Sequence, residues 1–486
     1  MSVFPSKCIH QPIEQLGSRF YSPVTPSGLS EPVLVHTSPP AAALIGLANQ
    51  ATTSDDFLTL ASGNGHFDGY SPLAMVYSGH QFGSYVPRLG DGRAMTLATI
   101  TGPNGEWDLQ LKGAGQTPYS RFGDGRAVLR STIREYLCSE AMHGLSIATT
   151  RGLSITTGSN KVQRETVEPA AVLIRLARSN IRFGSFEYFH YNGEHQQVKQ
   201  LADFVIERHY PDWQDSEDKY YRLFKRAVVA TAELIAHWQA VGFAHGVMNT
   251  DNMSILGDTL DYGPFGFLDT YQPDFICNHS DETGRYAFNR QPGIGLWNCN
   301  ALAHALSSLV KSEQLKQALQ HYEPTFLDTF FGLMSGKLGL ENKQPSDGQL
   351  IDDLLQLMAD NQVDYTGFFR QLCGFGGDSD NQKIAQLFND PEDFLTWSKR
   401  YKARLQQDSV DPQKRRTAML RSNPKYVLRN YLAEIAIRQA EDRNDYSEID
   451  GLLRVLSAPY EEHPELEKYA APPPEWASGI SVSCSS

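Results

Sequence analysis

The sequence predicts an α+β protein of two lobes with a cleft at their junction. Strand-like runs come early: Ala94–Ile100 and Trp107–Lys112 flank the turn Gly102–Gly105, a pattern typical of a β-hairpin. Helical patterns come late, because the chain beyond Pro292 is rich in Leu and Gln. The polar loop region Phe243–Leu268 lies between them. Where strands precede helices, the two segregate in the fold, and ligands commonly bind at the junction.

Two segments have the periodicity of buried helices. Ala127–Met142 has apolar residues at positions 129, 133, 137 and 141, and Tyr221–Ala240 has them at 224, 228, 235 and 238. Residues 1–60 mix Pro, Ser and Thr with short apolar pieces, which indicates an irregular N-terminal extension. We therefore predict four units: the extension (1–60), an N-terminal lobe (61–185), a C-terminal lobe (186–330) and a helical region with a tail (331–486).

The composition disfavours several classes of protein. The 486 residues carry a formal net charge of −13, and binding to nucleic acid needs a basic surface. No apolar run approaches the roughly 20 residues that span a bilayer, and the first residues lack the apolar centre of a secretory signal. The six cysteines form no CxxC pair, which disfavours structural zinc. We expect a protein of the bacterial cytoplasm whose cysteines are mostly thiols.

A polar string resembles the metal-binding loops of protein kinases. The segment HGVMNTDN (245–252) ends in Asn252, and Asp261-Tyr262-Gly263 follows. In kinases, an Asn that ends the catalytic loop and the Asp of Asp-Phe-Gly hold the metal ions. A short hairpin over residues 254–260 would bring Asn252 and Asp261 together, and their oxygens suit Mg²⁺ or Mn²⁺. The alternative is that both are ordinary turn residues.

One position departs from the kinase pattern. The catalytic Asp of kinases stands five residues before the metal-binding Asn, and Val247 occupies that place here. Valine cannot accept a proton, so a kinase with this loop would lack its base. Either the protein is inactive, or Asp251, the nearest carboxylate, acts on a substrate that is placed differently. We favour the second interpretation over a role of Asp251 as a turn or capping residue.

Cationic side chains that can hold phosphates precede this loop. Lys112 ends a predicted strand and Glu135 lies on the next predicted helix, an arrangement that holds phosphates in kinases. A solvated surface pair is the alternative. Buried guanidinium groups need anionic partners such as phosphate. The arginine candidates are Arg93, Arg175, Arg178 and Arg182. Arg175 and Arg178 have the spacing of one helix face, and structural salt bridges are the alternative, above all for Arg178.

Two Gly-Asp-Gly-Arg turns, at 90–93 and 123–126, recur in the same region. Gly-Asp-Gly is a common turn sequence, so neither is specific alone. A Gly-rich turn can present backbone N–H groups to phosphate. We therefore include Gly90, Gly92, Asp124 and Gly125 in the candidate nucleotide site.

Longer strings resemble the selenoprotein O family over nearly the whole chain. The strings are LGDGRA (89–94), QLKGAGQTPYSRFGDGRAVLRSTIREYL (110–137), HGVMNTDNMSILGDTLDYGPFGFLD (245–269), NPKYVLRN (423–430) and PPPEW (472–476). The resemblance implies a protein-kinase-like pseudokinase fold that binds ATP in reversed orientation. It also implies transfer of AMP to Ser, Thr or Tyr hydroxyls of proteins. A reversed nucleotide moves the reacting phosphorus, which accounts for Val247.

The resemblance implies roles for individual residues. Asp251 is the implied base, Asn252 and Asp261 are the implied ligands of Mg²⁺ or Mn²⁺, and Glu135 anchors Lys112. The implied nucleotide site comprises Gly90, Gly92, Arg93, Lys112, Asp124, Gly125, Arg175 and Arg182.

Redox control is a further implication of the family. Bacterial members carry a cysteine near the C-terminus where eukaryotic members carry selenocysteine, and Cys484 has this position. Cys277 lies in residues 271–289, which correspond to an activation loop. A Cys277–Cys484 disulfide would hold the tail over that loop, and two unrelated thiols are the alternative.

Three other functions stay open on the sequence alone. One is a kinase that transfers the γ-phosphate of ATP, against which Val247 argues. The second is a uridylyltransferase that uses UTP. The third is an inactive pseudokinase that only binds nucleotide.

Overall fold

A large antiparallel sheet is formed mainly by the first third of the chain. The computed structural model describes residues 8–483, apart from the side chains at positions 378 and 379. The described residues contain thirteen strands: β1 (Ile9–His10), β2 (Tyr21–Pro23), β3 (Val33–Thr37), β4 (Leu73–Met75), β5 (Gly79–Gln81), β6 (Ser84–Val86), β7 (Ala94–Gly102), β8 (Gly105–Lys112), β9 (Ala127–Val128), β10 (Arg151–Gln163), β11 (Val167–Ala177), β12 (Phe243–Ala244) and β13 (Gly266–Phe267).

Nine of these strands form one sheet in the order β2-β4-β7-β8-β11-β10-β3, with β1 paired to β7 and β9 to β11. The predicted hairpin is confirmed as β7–β8, whose register runs from Ala94 opposite Lys112 to Gly102 opposite Gly105. The expectation of irregular structure before residue 61 was wrong, because β2 and β3 form the two edges of the sheet. Edge strands tolerate the proline that suggested a loop, and Pro23 lies within β2.

Helices dominate after the sheet, as the sequence predicts. The described residues contain sixteen α-helices: α1 (Pro39–Leu44), α2 (Asp55–Ala61), α3 (Leu129–Gly144), α4 (Phe183–Tyr191), α5 (His195–His209), α6 (Lys219–Val241), α7 (Gln291–Ala305), α8 (Ser312–Leu319), α9 (Tyr322–Lys337), α10 (Asp347–Asp360), α11 (Tyr365–Leu372), α12 (Asp378–Ala385), α13 (Pro391–Gln407), α14 (Pro412–Ser422), α15 (Asn430–Arg443) and α16 (Ser447–Ser457). The α+β class is confirmed at this level.

Helix α3 is the central element between the sheet and the C-terminal helices. It packs on β10 and β11 on one side and on α15 and α16 on the other. Its predicted apolar positions are buried, but so is every residue from Thr132 to Met142, because the helix is covered on both sides. The predicted long helix in the 220s and 230s is α6, which packs on α7, α8 and α9.

Two hydrophobic clusters hold in place the strands and helices that carry the polar residues of the predicted site. One cluster joins α1 and α2 to the sheet, and a second surrounds α4, α5 and α6. The C-terminal ends of β8 and β11 and the residue before α4 thereby face the loop between β12 and β13. Within residues 8–483, no helix has both the length and the apolar character that a bilayer crossing requires.

Candidate active site

A cavity of about 430 Å³ opens where the sheet meets the loop before β13. It is lined by Tyr77, Gln81, Leu89, Gly90, Asp91, Gly92, Arg93, Ala94, Lys112, Tyr119, Ser120, Arg121, Gly123, Asp124, Gly125, Arg126, Arg164, Arg175, Arg182, Val247, Asp251, Asn252, Asp261, Tyr262, Gly263 and Pro264. Every residue that the family resemblance implies for the nucleotide site, the metal site and the base is in this set, whereas the further candidate Arg178 is not. Glu135 lies immediately behind it, against Lys112.

Asp261 lies at the centre of a cluster of three cations. Its Oδ1 accepts a hydrogen bond from Lys112 Nζ at 3.0 Å and another from Arg175, and its Oδ2 accepts one from Arg182 Nη1 at 2.7 Å. Burial alone would raise the pKa of Asp261, but the three cations hold it well below the usual range. Asp261 is therefore a carboxylate at any physiological pH.

Glu135 supplies the second carboxylate of this cluster. Its two oxygens lie 2.5 Å from Lys112 Nζ and 3.0 Å from Arg175 Nη1. All of these side chains are largely buried. Three cations facing two carboxylates leave one excess positive charge at the cavity wall. Such a wall favours an anionic ligand, and phosphate oxygens match the planar guanidinium groups.

The arginines lie on elements that differ from the expectation. Arg175 is on strand β11, where its Nε donates to Gln110 Oε1 at 2.7 Å, so the prediction of a helix face shared with Arg178 was wrong. The apolar run around Arg175 is continuous because β11 is buried on both faces, and such a run does not separate strand from helix. Arg178 forms a bidentate pair with Asp258, with Nε 3.0 Å from Oδ2, which is the structural alternative. Arg182 precedes α4 and is buried.

Asp251 lies in the short 3₁₀ turn Thr250–Asn252 and is only 8% exposed. Its Oδ2 accepts a hydrogen bond from Gln81 Nε2 at 3.2 Å, whereas its Oδ1 is buried without a hydrogen-bond partner among the described residues. Burial raises the pKa of Asp251 to about 6. A carboxylate with this pKa and one oxygen free of hydrogen bonds from the described residues is suited to accept a proton near neutral pH.

The side-chain amide of Asn252 uses its nitrogen in a hydrogen bond within the loop. Its Nδ2 donates a hydrogen bond to the carbonyl oxygen of Val247 at 2.8 Å. The amide oxygen of Asn252 is then the atom left to act as a metal ligand. Asn252 and Asp261 line the same cavity. An amide oxygen and a permanently ionised carboxylate fit a hard divalent cation. In the described part of the chain no three His, Cys, Asp or Glu side chains converge as a metal site. Asn252 and Asp261 could together supply two oxygen ligands, and Mg²⁺ is commonly bound by one or two protein ligands plus substrate phosphates.

The remaining predicted residues form the outer wall of the cavity. Arg93 is exposed, and Asp124 forms a bidentate pair with Arg164, with both oxygens at 2.9 Å. Gly125 has a φ of +67°, and a Cβ there would lie 2.0 Å from the carbonyl oxygen of Gly115. Only glycine fits such a position.

The loop between Asn252 and Asp261 is less regular than predicted. Met253 and Thr259 form a single antiparallel bridge, and no regular strand forms between them. Nearby, Cys277 is buried, with its Sγ 2.9 Å from the carbonyl oxygen of Pro264. Cys484 lies outside the described residues, so its pairing with Cys277 stays a prediction.

Three cavity residues were not among the residues predicted for the site. Gln81 contacts Asp251, Tyr77 lies under the Arg182 guanidinium at 4.9 Å from the ring centroid, and Asp91 accepts a hydrogen bond from the backbone N–H of Met75. Burial raises the pKa of both Tyr77 and Asp91. They belong to a Gly-rich stretch with no regular spacing, which hides them from pattern analysis.

A cation cluster, a buried carboxylate with an unpaired oxygen and two further oxygen-bearing side chains in one cavity are features of a phosphate-handling transferase. Comparison with known proteins narrows this class. A family model described as "Protein adenylyltransferase SelO" matches residues 6–457. Two relatives, both described as "Protein nucleotidyltransferase YdiU", are similar along their length. The one from Myxococcus xanthus (strain DK1622) is 51% identical over 475 residues, which are 97% of each chain. The one from Thiobacillus denitrificans (strain ATCC 25259 / T1) is 49% identical over 491 residues and covers 100% of each.

The chain belongs to the SelO family of protein adenylyltransferases. The family resemblance predicted from sequence is thereby confirmed. The protein is an enzyme, a protein nucleotidyltransferase, and its activity requires a nucleotide co-substrate and a protein target.

Proposed function

We propose that this enzyme transfers AMP from ATP to Ser, Thr or Tyr hydroxyls of proteins, with Mg²⁺ or Mn²⁺ as the metal. The observation that carries the proposal is the position of Asp251. It is a buried carboxylate that lines the cavity and has one oxygen without a hydrogen-bond partner among the described residues, and Val247 stands where a kinase has its base. A nucleotide whose α-phosphate lies next to Asp251 suits this arrangement better than one that presents its γ-phosphate.

The chemistry follows from these positions. The acceptor hydroxyl attacks the α-phosphorus while Asp251 takes its proton, and a new O–P bond forms. The bond from the α-phosphorus to the bridging oxygen breaks, and pyrophosphate leaves. Lys112, Arg175 and Arg182 hold the charge on the phosphate oxygens, which is where it grows in the transition state. Glu135 keeps Lys112 in place.

Asn252 and Asp261 are the proposed ligands of the divalent cation. When bound, the cation would neutralise charge on the phosphates and orient them. Gly90, Gly92, Arg93, Asp124 and Gly125 line the nucleotide on the outer side. A protein-kinase-like arrangement of lobes, divided at residues 61–185 and 186–330, is part of the same proposal, as are a bacterial cytoplasmic location and a Cys277–Cys484 disulfide.

Labelled nucleotides test the proposal directly. With ATP labelled at the α-phosphate, we expect label on protein, and with ATP labelled at the γ-phosphate, none. Label from the γ-position alone would favour a kinase, and a preference for α-labelled UTP would favour a uridylyltransferase. Asp251→Asn should abolish transfer while ATP binding persists. Intact mass after incubation with ATP and Mn²⁺ checks the mass of the added group.

A further inference from the structure

Strand β5 lies directly against Asp251. Gly79 and Gln81 are two residues apart on this strand, so they share one face, and that face is turned to Asp251. The residue between them, His80, faces the other way, where its Nδ1 lies 2.7 Å from Glu187 Oε1. The strand therefore contacts the base with one face and the buried Glu187 with the other.

The two carboxylate oxygens of Asp251 meet different groups of this strand. Gln81 Nε2 donates to Oδ2 at 3.2 Å. A Cβ atom on Gly79 would lie 2.6 Å from Oδ1 and 2.9 Å from the Cβ of Asp251, so the absence of a side chain on Gly79 leaves room for Asp251 in this position. The backbone φ of Gly79 is one that other residues adopt, and the restriction at this position is steric.

Backbone contacts hold the strand in register with the loop that carries Asp251. The N–H of His80 donates to Thr250 Oγ1 at 2.7 Å. The N–H of Phe82 donates to Tyr286 Oη at 2.9 Å and to Asn249 Oδ1 at 3.2 Å. Because these partners flank Asp251 in sequence or pack beside it, the backbone at Gln81 is held at a fixed place relative to the carboxylate. A side chain that extends from such a backbone can position the side chain it contacts.

We propose that β5 is the positioning element for the base: Gln81 holds Asp251 Oδ2, and Gly79, which has no side chain, leaves room for the carboxylate on its Oδ1 side. This inference rests on the proposed role of Asp251. Gln81 acts through Asp251 and is a positioning residue. Its loss therefore lowers the rate of transfer and leaves the affinity for ATP unchanged, since the phosphates are held by other side chains.

Three variants test the inference on the full chain. Gln81→Met keeps length and removes the donor, and Gly79→Ala adds the Cβ next to Oδ1. Ser84→Ala is the matched control, because Ser84 is exposed and lies opposite Gln81 in the β5–β6 hairpin. For each variant, calorimetry gives the Kd for ATP, and α-labelled ATP with dephosphorylated casein as the hydroxyl-bearing probe gives kcat and the KM for ATP. The melting temperature reports on folding.

We expect Gln81→Met and Gly79→Ala to lower kcat by about 10- to 100-fold, with the Kd and KM for ATP unchanged. The melting temperature should stay the same for Gln81→Met and fall for Gly79→Ala, because the added Cβ forces Asp251 to move. Ser84→Ala should match the unaltered chain. An unchanged kcat in both β5 variants, or a loss of ATP affinity in step with kcat, overturns the inference. Asp251→Asn distinguishes failure of the proposed function from failure of this inference. If Asp251→Asn keeps full transfer, the proposed function is wrong. If Asp251→Asn loses transfer and both β5 variants keep it, only the inference about β5 is wrong.

Discussion

The guanidinium of Arg182 donates a hydrogen bond to the main-chain carbonyl oxygen of Asp251 at 2.7 Å. The same Nη1 donates to Asp261 Oδ2, also at 2.7 Å. One buried arginine at the start of α4 thus connects the backbone of the proposed base to the proposed metal ligand. Its ring contact with Tyr77 holds the guanidinium from a third side.

Arg182→Met should weaken ATP binding by about tenfold to a hundredfold, because charge-assisted hydrogen bonds contribute about 1.5–3 kcal/mol each. It removes one of the three cations around Asp261 and the tie to the Asp251 carbonyl. Calorimetric titration with ATP in the presence of Mn²⁺ measures the change. An unaltered Kd would show that Arg182 serves only to hold the fold.

Arg178→Met is the matched control for that variant. Arg178 is 49% exposed on its side chain and pairs with the buried Asp258, away from the cavity wall. Its removal leaves a buried carboxylate without its partner, so the melting temperature should fall. The Kd for ATP should stay the same. A loss of ATP affinity equal to that of Arg182→Met would contradict the separation of roles.

Gly125→Ala should impair both folding of the cavity wall and nucleotide binding. The φ of +67° costs an L-residue about 1–2 kcal/mol, and the new Cβ would lie 2.0 Å from the Gly115 carbonyl oxygen, so the turn must move. Gly193→Ala is the control: its φ is +72°, but no atom lies within 4 Å of the added Cβ. We expect a lower melting temperature for both and a higher Kd for ATP for Gly125→Ala alone. Equal ATP affinity in the two variants would contradict a role of this turn.

Local patterns predicted the residues that form the cavity better than the elements that carry them. Lys112, Glu135, Asn252 and Asp261 could be found from sequence because their spacing matches a pattern in which each residue type is required. Arg175 was placed on a helix, because a strand buried on both faces has no alternation to reveal it. β2 and β3 were missed since their pairing depends on sheet edges that local sequence does not encode.

Contacts between distant segments account for the rest of the site. Gln81 and Asp251 are 170 residues apart, and neither stands in a motif that requires the other. Arg164, in the loop between β10 and β11, pairs with Asp124, which is 40 residues away in sequence. Arg178 had two open interpretations, and only the position of Asp258 decides between them. Tertiary contacts of this kind are set by packing, which the sequence pattern does not specify.

Oxidation should link Cys277 to Cys484. The carbonyl oxygen of Val482 accepts a hydrogen bond from the N–H of His279 at 2.8 Å, so the tail approaches the segment that contains Cys277. With oxidised glutathione as the electron acceptor, two thiols become one disulfide. Non-reducing peptide mapping should give the 277–484 linked peptide, and Cys484→Ser should remove it while Cys8→Ser keeps it. Peptide mapping of the oxidised protein that finds no link between Cys277 and Cys484 would contradict the redox proposal.

Glu441→Gln should stabilise the protein at pH 8 and have little effect near pH 4.5. Burial, then repulsion by Glu168, raises the pKa of Glu441 from 4.5 to about 7, and its Oε1 has no hydrogen-bond partner among the described residues. Between these values the unfolded chain loses the proton and the folded protein keeps it, so the contribution of this group to stability falls as pH rises. Glutamine stays neutral and avoids that loss, which amounts to about 1 kcal/mol after solvent screening at this half-buried site. Thermal melts of the two proteins across this pH range measure it. A constant difference in melting temperature from pH 4.5 to 8 would show that titration of Glu441 does not contribute.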